Sequence, residues 1–356
     1  MPFYGGGEEG NRRTVSLLRK FGYKVRVIKK IRSKATTTPF LKYLTYPFRT
    51  IYNILIFSII LIFGSRRAIV HISGFYGPTV FCEYLFVILA KLLNYNIVYE
   101  MRGGGAETFH QQGSALYRHC FRQIVRKSNV IFSQGIENEP FLKTLANTPV
   151  FYYPNFVESD FLPKSLPQKP KSPVNIVYFG RVEQPKNVKL IVEAVSIIQK
   201  SADATLTITG IGQQQYVDEV KTMMNNMLKS GTYSFVPGHR HTDIMNQLSD
   251  KHFILFPSVL PREGQSNALT ESMSYGVVPI SSPQGFSRTV IGDNNLIIND
   301  LSAQSYANRV LEIIGDNSFD KKSEFVYSRV AENYSELAVG MRLKAQYDKL
   351  FARQQR

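Results

Sequence analysis

Residues 261–280 read PREGQSNALTESMSYGVVPI, and this stretch says most about the fold. Two glutamates flank seven residues, and a small polar cluster precedes a short segment with helical spacing. Ser266 or Asn267 is a suitable helix N-cap, and Gly276 is suitable for ending the helix before an apolar strand. The pattern therefore predicts a loop, a short helix and a buried strand, in that order.

The start of this predicted helix suits an anionic ligand. Its backbone amides would point out of the positive end of the helix, which favours a phosphate or diphosphate. These amides belong to Gly264, Gln265, Ser266 and Asn267. Glu263 precedes the helix and Glu271 lies one turn inside it. One acid would then reach a sugar hydroxyl while the other reaches a ribose.

The run E-G-x-x-N-x-x-x-E, with the glycine and the Val-Pro-Ile that follow, resembles the E-x7-E motif of the retaining glycosyltransferases of family 4, the glycosyl transferases group 1. The spacing of the glutamates alone is not specific, and an ordinary capped helix with surface acids is the alternative. The resemblance implies an α/β protein with two Rossmann-like domains facing a cleft, the GT-B fold. It also implies a nucleotide-diphosphate sugar as the donor.

A second run supports the same resemblance. Residues 177–187 read VYFGRVEQPKN, similar to the family's strand-G-R-x-x-x-x-K-G element, in which arginine and lysine clamp the donor diphosphate. The resemblance implies that Gly180 ends a strand and that Arg181 and Lys186 bind the diphosphate, with Asn187 in place of the usual glycine. A cation about 4 Å from a phosphate contributes about 4 kcal/mol at an effective dielectric of about 20, before desolvation. A solvated loop with two incidental cations is the alternative.

Two further glycines are candidate donor contacts. Gly212 closes a Thr-Gly-Ile-Gly run after a predicted strand and would bring backbone close to the nucleotide. Gly238 lies in a Val-Pro-Gly-His run that resembles the stretch lining the base pocket in this family. His239 and His241 are either donor contacts or solvent-exposed histidines, and the second interpretation is favoured.

The first half of the chain holds the candidate acceptor side. Gly6 and Gly7 belong to a run that resembles the family's N-terminal Gly-Gly turn, where acceptor and donor phosphates meet. Arg102 follows a predicted strand, where it would bind an acceptor phosphate or pair structurally with Glu100 or Glu107. Many family members have histidine at this position, so no histidine role is carried over.

Two histidines of the first half remain. His110 is the nearest alternative to the missing family histidine, and His71 at the end of an apolar strand is interpreted as structural.

The chain has 356 residues, which is typical of two domains. Strand and helix signals alternate, as expected for an α/β architecture. The predicted organisation is an acceptor-facing and membrane-facing Rossmann-like domain at 1–161, a linker at 162–173, a nucleotide-sugar domain at 174–334, and a final helix at 335–356 that crosses back to the first domain. The predicted strands of the first half are Lys24–Lys29, Ala68–Ile72, Ile97–Glu100, Val130–Ser133 and Val150–Tyr153. Met1 to Gly7 begins inside the apparent first glycine turn. Either the first strand is supplied differently or the chain starts late, and a late start without the first strand is favoured.

Positive charge is concentrated in the first half. Residues 1–170 carry 23 Lys and Arg against 9 Asp and Glu, whereas residues 171–356 carry 20 against 18. Ten basic residues and no acid lie between Arg12 and Lys34. Such a patch favours an anionic membrane surface or a nucleic acid. The run lacks a recognisable nucleic-acid motif, so the membrane is the expected partner, with an unpartnered solvated face as the alternative.

An apolar run at 54–63 lies between Arg49 and Arg66. It is shorter than the roughly 20 residues of a spanning helix. A buried core helix is the favoured interpretation, and a helix in the membrane interface is the alternative. Together with the basic patch, the run predicts a cytoplasmic protein held peripherally at the inner face of the cell membrane.

Several classes of site are not expected from the sequence. Cys82 and Cys120 are the only cysteines, so no disulfide framework is predicted. No D-x-D pair and no Cys/His cluster with metal spacing occurs, and no metal or cofactor is predicted. A P-loop is also absent, which disfavours a nucleotide-hydrolysing motor.

The predicted function is transfer of a sugar, with retention, from a nucleotide-sugar to a lipid-linked oligosaccharide during capsule, O-antigen or exopolysaccharide synthesis. The resemblance makes Glu263, Arg181 and Lys186 the catalytic set. A soluble glycosyltransferase with another acceptor, or a non-catalytic scaffold of the same fold binding anionic polymer or membrane, are the alternatives.

Overall fold

The computed structural model describes residues 6–28, 38–74, 76–238 and 241–353. The chain divides into two compact units. Unit 1 comprises Met1–Tyr153 and Gly340–Arg356, and unit 2 comprises Pro154–Val339. The segment 162–173 falls within unit 2, and the last helix of the chain belongs to unit 1 from Gly340 onwards.

Unit 1 is built on a four-stranded parallel sheet with the strand order β1-β2-β3-β4. The strands are β1 Ile69–Gly74, β2 Asn96–Met101, β3 Val130–Ser133 and β4 Val150–Tyr152. Its helices are α1 Gly6–Lys20, α2 Pro39–Ile62, α3 Val80–Leu92, α4 Ala106–Gln112, α5 Ala115–Lys127 and α6 Glu139–Leu145. Strands β2 and β3 are almost continuously buried, as expected for parallel strands covered on both faces.

Unit 2 is built on a five-stranded parallel sheet with the order β7-β6-β5-β8-β9. The strands are β5 Val174–Val182, β6 Ala204–Gly212, β7 Tyr233–Pro237, β8 Phe253–Phe256 and β9 Val278–Ser281. The helices that follow are α7 Val188–Ile198, α8 Gln214–Met227, α9 His241–Met245, α10 Asn267–Met273, α11 Ser287–Ile291, α12 Ala303–Gly315, α13 Phe319–Asn333 and α14 Glu336–Arg353. The order within the unit is 3-2-1-4-5, the doubly wound arrangement of Rossmann-like domains.

Most predicted elements are confirmed. Helix α1 ends at Lys20, and Gly22 adopts the left-handed φ of +82° that glycine tolerates after a helix. The four strands predicted between Ala68 and Tyr153 all form. The α/β fold with two Rossmann-like units is therefore the observed one.

The predicted strand Lys24–Lys29 is wrong. Residues 24–28 are described without strand pairing, and Lys29 lies outside the described residues. The alternating Lys-Val-Arg-Val-Ile pattern is strand-like, but a strand also needs a neighbour to pair with. Val27 is 48% exposed, so this segment does not lie in the sheet.

The buried core helix expected at 54–63 is also wrong. The run is the end of the 24-residue helix α2, and only Phe57 and Leu61 of this run are buried. Within the described residues, Leu44–Ile62 is the one segment long and apolar enough to cross a membrane, with a mean hydropathy of 1.4 and 11% of the window buried. This finding rests on length and composition alone, and core helices of soluble proteins and signal sequences share these two properties.

Helix α14 completes the core of unit 1. The Tyr347 hydroxyl lies 2.6 Å from Nδ1 of His71, and Asn96 Nδ2 donates to the Leu350 carbonyl at 3.1 Å. Gly340 lies against α1, where an added Cβ would come within 3.0 Å of Leu17. The last segment of the chain is thus an integral part of the first unit.

Candidate active site

The candidate site in unit 2 lies at the centre of its sheet. From β5 the chain runs outward through β6 and β7 on one side, and then through β8 and β9 on the other. In open α/β sheets, ligands bind outside the carboxyl ends of the strands at this reversal. The loop after β5 holds Lys186 and the loop after β8 holds Glu263. Val259 N donates to the Pro185 carbonyl at 2.9 Å, which joins the two loops.

Lys186 and Glu263 form a buried ion pair through Nζ and Oε2. Their side chains are only 8% and 11% exposed. Ser258 Oγ donates to the same Glu263 oxygen at 2.9 Å, and Lys186 Nζ also lies 5.2 Å from the centre of the Phe256 ring. The structure therefore brings together two of the three predicted catalytic residues. Ser258 was missed because nothing in the sequence around it marks a functional hydroxyl.

Arg181 lies at the end of β5 and points towards solvent. Its guanidinium pairs with Glu183 at 2.9 Å, and its side chain is 62% exposed. The Tyr178 hydroxyl donates to the Arg181 carbonyl at 2.7 Å and fixes the backbone there. Gly180 has a φ of +144°, which disfavours any side chain at that position. Arg181 is thus an accessible cation on a constrained strand end.

Asn187 stands where the family pattern has glycine, and it adopts a backbone conformation that glycine commonly takes. It adopts the left-handed conformation, with φ 53° and ψ 41°, between the Lys186 loop and α7. Asparagine is one of the few residues that occupy this region readily. The backbone course required after Lys186 is therefore preserved without glycine.

The helix predicted from the E-x7-E pattern is α10. Ser266 is its N-cap residue, with no side-chain capping bond among the described residues, and Gly276 has the left-handed φ of +69° in the turn before β9. Helix α10 has only seven residues, so its macrodipole contribution to an anion is small. The side chains of Arg181 and Lys186 are the stronger electrostatic feature.

Gln265 holds the motif loop to Asn155 rather than projecting from it. Asn155 N donates to Gln265 Oε1 at 2.6 Å, and Gln265 Nε2 donates back to the Asn155 carbonyl at 3.0 Å. Asn155 Nδ2 donates to Asn267 Oδ1 at 2.8 Å. The side chain of Gln265 is therefore committed to structure, while the backbone of Gly264 to Asn267 stays a predicted donor contact.

Glu271 is buried and hydrogen-bonded to a histidine. Its Oε1 lies 2.8 Å from His241 Nε2, and the two side chains are 4% and 31% exposed. The His241 ring also packs edge-on against Phe161 at 4.6 Å. The interpretation of His241 as a solvent-exposed residue is therefore wrong, because the ring orients Glu271. His239 lies outside the described residues.

Gly285 is a further part of this site that the sequence did not reveal. It follows β9 with a φ of +64°. A Cβ at this position would lie 2.6 Å from the Gly264 carbonyl oxygen and 2.8 Å from that of Glu263. The absence of a side chain lets the loop after β9 support the backbone that carries Glu263.

Gly212 and Gly238 lie at the carboxyl ends of the parallel strands β6 and β7, on one edge of the sheet. A Cβ on Gly212 would come 1.7 Å from the Val182 carbonyl oxygen, so this glycine permits the close pairing of β6 with β5. Gly238 N donates to the Gly210 carbonyl at 3.0 Å. Both glycines have structural roles, and their contact with the donor stays a prediction.

In unit 1, Arg102 forms part of a buried charge network. It pairs with Glu100 at 2.5 Å, and the other Glu100 oxygen lies 3.0 Å from His71 Nε2. Burial opposes ionisation of Glu100, but Arg102 and the hydrogen bond from His71 outweigh burial and leave the pKa of Glu100 below its ordinary value. Arg102 is 5% exposed and lies under α1, where Gly10 leaves room for the guanidinium. The structural pairing with Glu100 is thus the observed arrangement, and an acceptor contact stays a prediction.

His71 has the structural role that its position in the sequence predicts, between Glu100 and Tyr347. His110 is a core residue of unit 1, packed against the rings of Phe121 and Phe141, and burial lowers its pKa. Gly6 and Gly7 form the first turn of α1 rather than a loop.

Comparisons with known proteins cover the part of the chain that holds this candidate site. Residues 161–328, which include Arg181, Lys186, Glu263 and Glu271, match the model of the family described as glycosyl transferases group 1. An uncharacterised glycosyltransferase of Methanocaldococcus jannaschii is 23% identical over 180 residues, which are 50% of this chain. The match spans 44% of that relative's length.

Solved structures share the fold across nearly the whole chain. A glycosyltransferase of Rickettsia africae superposes with a TM-score of 0.72 at 15% identity and covers 98% of this chain and 96% of its own. The sucrose-phosphate synthase of Thermosynechococcus elongatus gives 0.72 at 15% identity, covering 98% and 94%. HepE of Anabaena, solved with UDP, gives 0.71 at 11% identity, covering 97% and 96%. The chain has the GT-B fold, and its residues 161–328 match the family model of the glycosyl transferases group 1.

Proposed function

We propose that this chain is a retaining, metal-independent glycosyltransferase of family 4. It would move a sugar from a nucleotide-diphosphate sugar to a lipid-linked glycan during synthesis of a capsule, O-antigen or exopolysaccharide. The observation that carries the proposal is the buried Lys186–Glu263 pair where the strand order of the unit 2 sheet reverses. The exposed Arg181 precedes Lys186 by five residues in the sequence.

The cations would stabilise the leaving group. As the bond between the anomeric carbon and the diphosphate oxygen breaks, negative charge grows on the departing nucleoside diphosphate. Arg181 is accessible and can bind two phosphate oxygens, while Lys186 acts as a point charge. A preorganised cation is most effective where charge develops in the transition state. Lys186 is buried and paired with Glu263, so its ammonium group is held in a fixed position.

The acids would position the donor. Glu263 would accept hydrogen bonds from sugar hydroxyls, held in place by Ser258, and Glu271 would grip the ribose, held by His241. The acceptor hydroxyl would attack on the face that the diphosphate leaves, and a diphosphate oxygen would take the proton. The products are the nucleoside diphosphate and a glycoside of retained configuration. This route needs positioning and electrostatics rather than a protein nucleophile.

Known relatives support a nucleotide-sugar donor. HepE of Anabaena was solved with UDP, with UDP and glucose, and with UDP-glucose. These ligands belong to that protein, which is 11% to 12% identical to this chain.

The membrane is the proposed site of the reaction. A lipid-linked acceptor lies in the bilayer, and the excess of basic residues in the first half suits the anionic cytoplasmic leaflet. We accordingly propose a cytoplasmic protein held peripherally at the inner face of the cell membrane, with unit 1 on the acceptor side.

Calorimetric titration with UDP, GDP, ADP and CMP, and then with the sugars of whichever binds, tests the donor site. We expect one diphosphate to bind, and Arg181→Ala/Lys186→Met to weaken that binding at least about a hundredfold. Lys200→Ala is the matched control, since this exposed lysine follows α7 at the opposite end of the sheet. No binding by the folded wild type, or equal binding by both variants, would overturn the assignment. Retained anomeric configuration of the product, read by NMR, tests the stereochemistry separately.

A further inference from the structure

Helix α2 carries a continuous apolar face that points away from the protein. The seven residues of this face recur at helical spacing and are each between 50% and 72% exposed: Leu44, Phe48, Ile51, Tyr52, Leu55, Ile59 and Ile62. We call this set the α2 outer face. Leu44–Ile62 has 19 residues and is therefore about 28 Å long. The α2 outer face is thus a continuous apolar strip, whereas ordinary protein surfaces expose apolar side chains singly.

The opposite side of α2 is fixed to unit 1. Phe57 and Leu61 are buried in the core, and the Phe57 ring lies 4.6 Å from Phe86 of α3. The Tyr95 hydroxyl donates to the Leu61 carbonyl at 2.7 Å, which ties down the end of the helix. Because one side packs on protein, lipid cannot surround α2 as it would a spanning helix.

Two hydroxyl groups of the helix are hydrogen-bonded to the helix backbone. The Thr50 hydroxyl donates to the Tyr46 carbonyl at 2.9 Å, and the Ser58 hydroxyl donates to the Ile54 carbonyl at 2.8 Å. Hydroxyls bonded four residues back leave no unsatisfied donor. These side chains therefore need not give up a partner when water is removed.

The sequence around α2 is rich in basic residues, which favours an anionic partner for the α2 outer face. From residue 14 to residue 82 the sequence contains twelve Lys and Arg and no Asp or Glu. Arg66 and Arg67 are exposed just beyond the end of α2, and Arg49 lies within it. A second copy of the chain would bring the Arg66 and Arg67 side chains of both copies close together, which electrostatic repulsion disfavours. An anionic lipid surface attracts them.

We infer that the α2 outer face inserts into the interface of an anionic bilayer, with the helix axis parallel to the membrane plane. Interfacial helices combine an apolar face with neighbouring cations in this way. The inference extends the membrane location of the proposed function, but it does not depend on donor binding or on catalysis.

The absence of tryptophan from the chain allows a direct test. Phe48→Trp, Leu55→Trp and Ile62→Trp each place one fluorophore on the α2 outer face, seven residues apart. The vesicles contain phosphatidylcholine and phosphatidylglycerol, with bromine at different depths of the acyl chains. We expect a blue shift and quenching at the same shallow depth for all three. Phe325→Trp, on the exposed side of α13 in unit 2, is the control and should show neither.

Other results would overturn the inference. If Leu55→Trp were quenched deep in the bilayer and the other two near its surface, the helix would span the membrane. If none shifted on vesicles that bind the protein, another surface would make the contact. A concentration-dependent blue shift without vesicles, with dimers in light scattering, would identify a second copy as the occupant. Each of these results leaves calorimetric donor binding unchanged, so the proposed donor site stands or falls separately.

A charge substitution gives an independent measure. Leu55→Glu/Ile59→Glu should lower the vesicle partition coefficient at least about tenfold, because a carboxylate is costly in the interface and is repelled by anionic lipid. Met227→Glu, at an exposed apolar position of α8 in unit 2, should have little effect. Equal binding of the double variant and the wild type would contradict insertion.

Discussion

Lys186 and Glu263 lie 77 residues apart in the sequence and form one buried ion pair between neighbouring loops of unit 2. The family resemblance gives them separate tasks, one at the diphosphate and one at the sugar. In the structure each neutralises the other, and Ser258 shares the carboxylate. Removing either residue therefore changes both the chemistry and the burial of the charge left behind.

This pairing predicts that single substitutions cost stability as well as turnover. Lys186→Met or Glu263→Leu leaves one buried charge unpaired, which typically costs about 3–5 kcal/mol. Turnover of Lys186→Met should fall about a thousandfold, given about 4 kcal/mol from one cation near the leaving group. Turnover of Glu263→Leu should also fall, because the donor sugar loses a hydrogen-bond acceptor. Urea unfolding and initial rates measure the two effects. The double variant should unfold at higher urea than either single one.

The exposed pair of Lys143 and Glu139 in α6 provides the comparison, with side chains 65% and 38% exposed. Its double-mutant cycle should give no more than about 0.5 kcal/mol. If the cycle for Lys186 and Glu263 gave a similar value, the buried pair would not have the proposed strength.

Asn155 and Gln265 predict a second coupling. Asn155→Ala should cost about 1–3 kcal/mol, because it removes the side-chain amide that donates to the Gln265 carbonyl and to Asn267 Oδ1. Gln265→Ala should cost a similar amount. Since both changes free the same loop, the double variant should lose less than the sum of the two. Additive losses in urea unfolding would show that the residues act independently.

Gly285 predicts a steric effect on the motif loop. Gly285→Ala would place a Cβ against the Glu263 and Gly264 carbonyls and should weaken nucleotide binding. Gly231→Ala is the matched control, since Gly231 has a φ of +79° and nothing within 4 Å of an added Cβ. Both variants carry the backbone penalty of about 1–2 kcal/mol. Calorimetry should separate them, and equal affinities would refute the support role of Gly285.

His252 predicts a pH dependence of stability. Its Nδ1 accepts from Asn175 N at 3.0 Å, so Nε2 carries the proton donated to the Pro170 carbonyl. Burial lowers the pKa of His252. The unfolded chain then binds a proton near pH 6.5 while the folded one does not, so stability falls as the pH drops below about 6.5.

The measurement is the melting temperature between pH 5.5 and pH 8. His252→Asn, whose amide oxygen can accept from Asn175, should melt lower at pH 8 but lose less on acidification. A wild type and variant with parallel pH profiles would exclude His252 as the source.

The fold was largely predictable because local patterns agreed with the final architecture. The run at 130–133 is short and apolar, and it forms a strand with the predicted bounds. The segment at 24–28 had equally good alternation and failed, because pairing depends on a neighbour that local pattern does not supply. The exposure of α2 was missed for a similar reason, since an apolar run does not tell which of its faces meets the protein.

The candidate site shows the same division. Motif spacing singled out Arg181, Lys186, Glu263 and Glu271, and the structure brings Lys186 and Glu263 together. It did not locate Ser258, Asn155 or Gly285, which act on the site through contacts made by folding. Asn155 and Gln265 are 110 residues apart, and a common serine, asparagine or glycine carries no signal of its own.

Unit 1 is formed by two separate segments of the chain, and this determines which unit can fold first during translation. Unit 2 occupies one unbroken stretch, Pro154–Val339, and all of it leaves the ribosome before α14 is complete. His71 and Tyr347 are 276 residues apart, and Tyr23 and Asp348 are 325 apart. The first unit to be translated is therefore the last to acquire its full core. Until α14 has been translated, the α2 outer face belongs to a unit whose core is incomplete. Unit 2 can already fold at that stage.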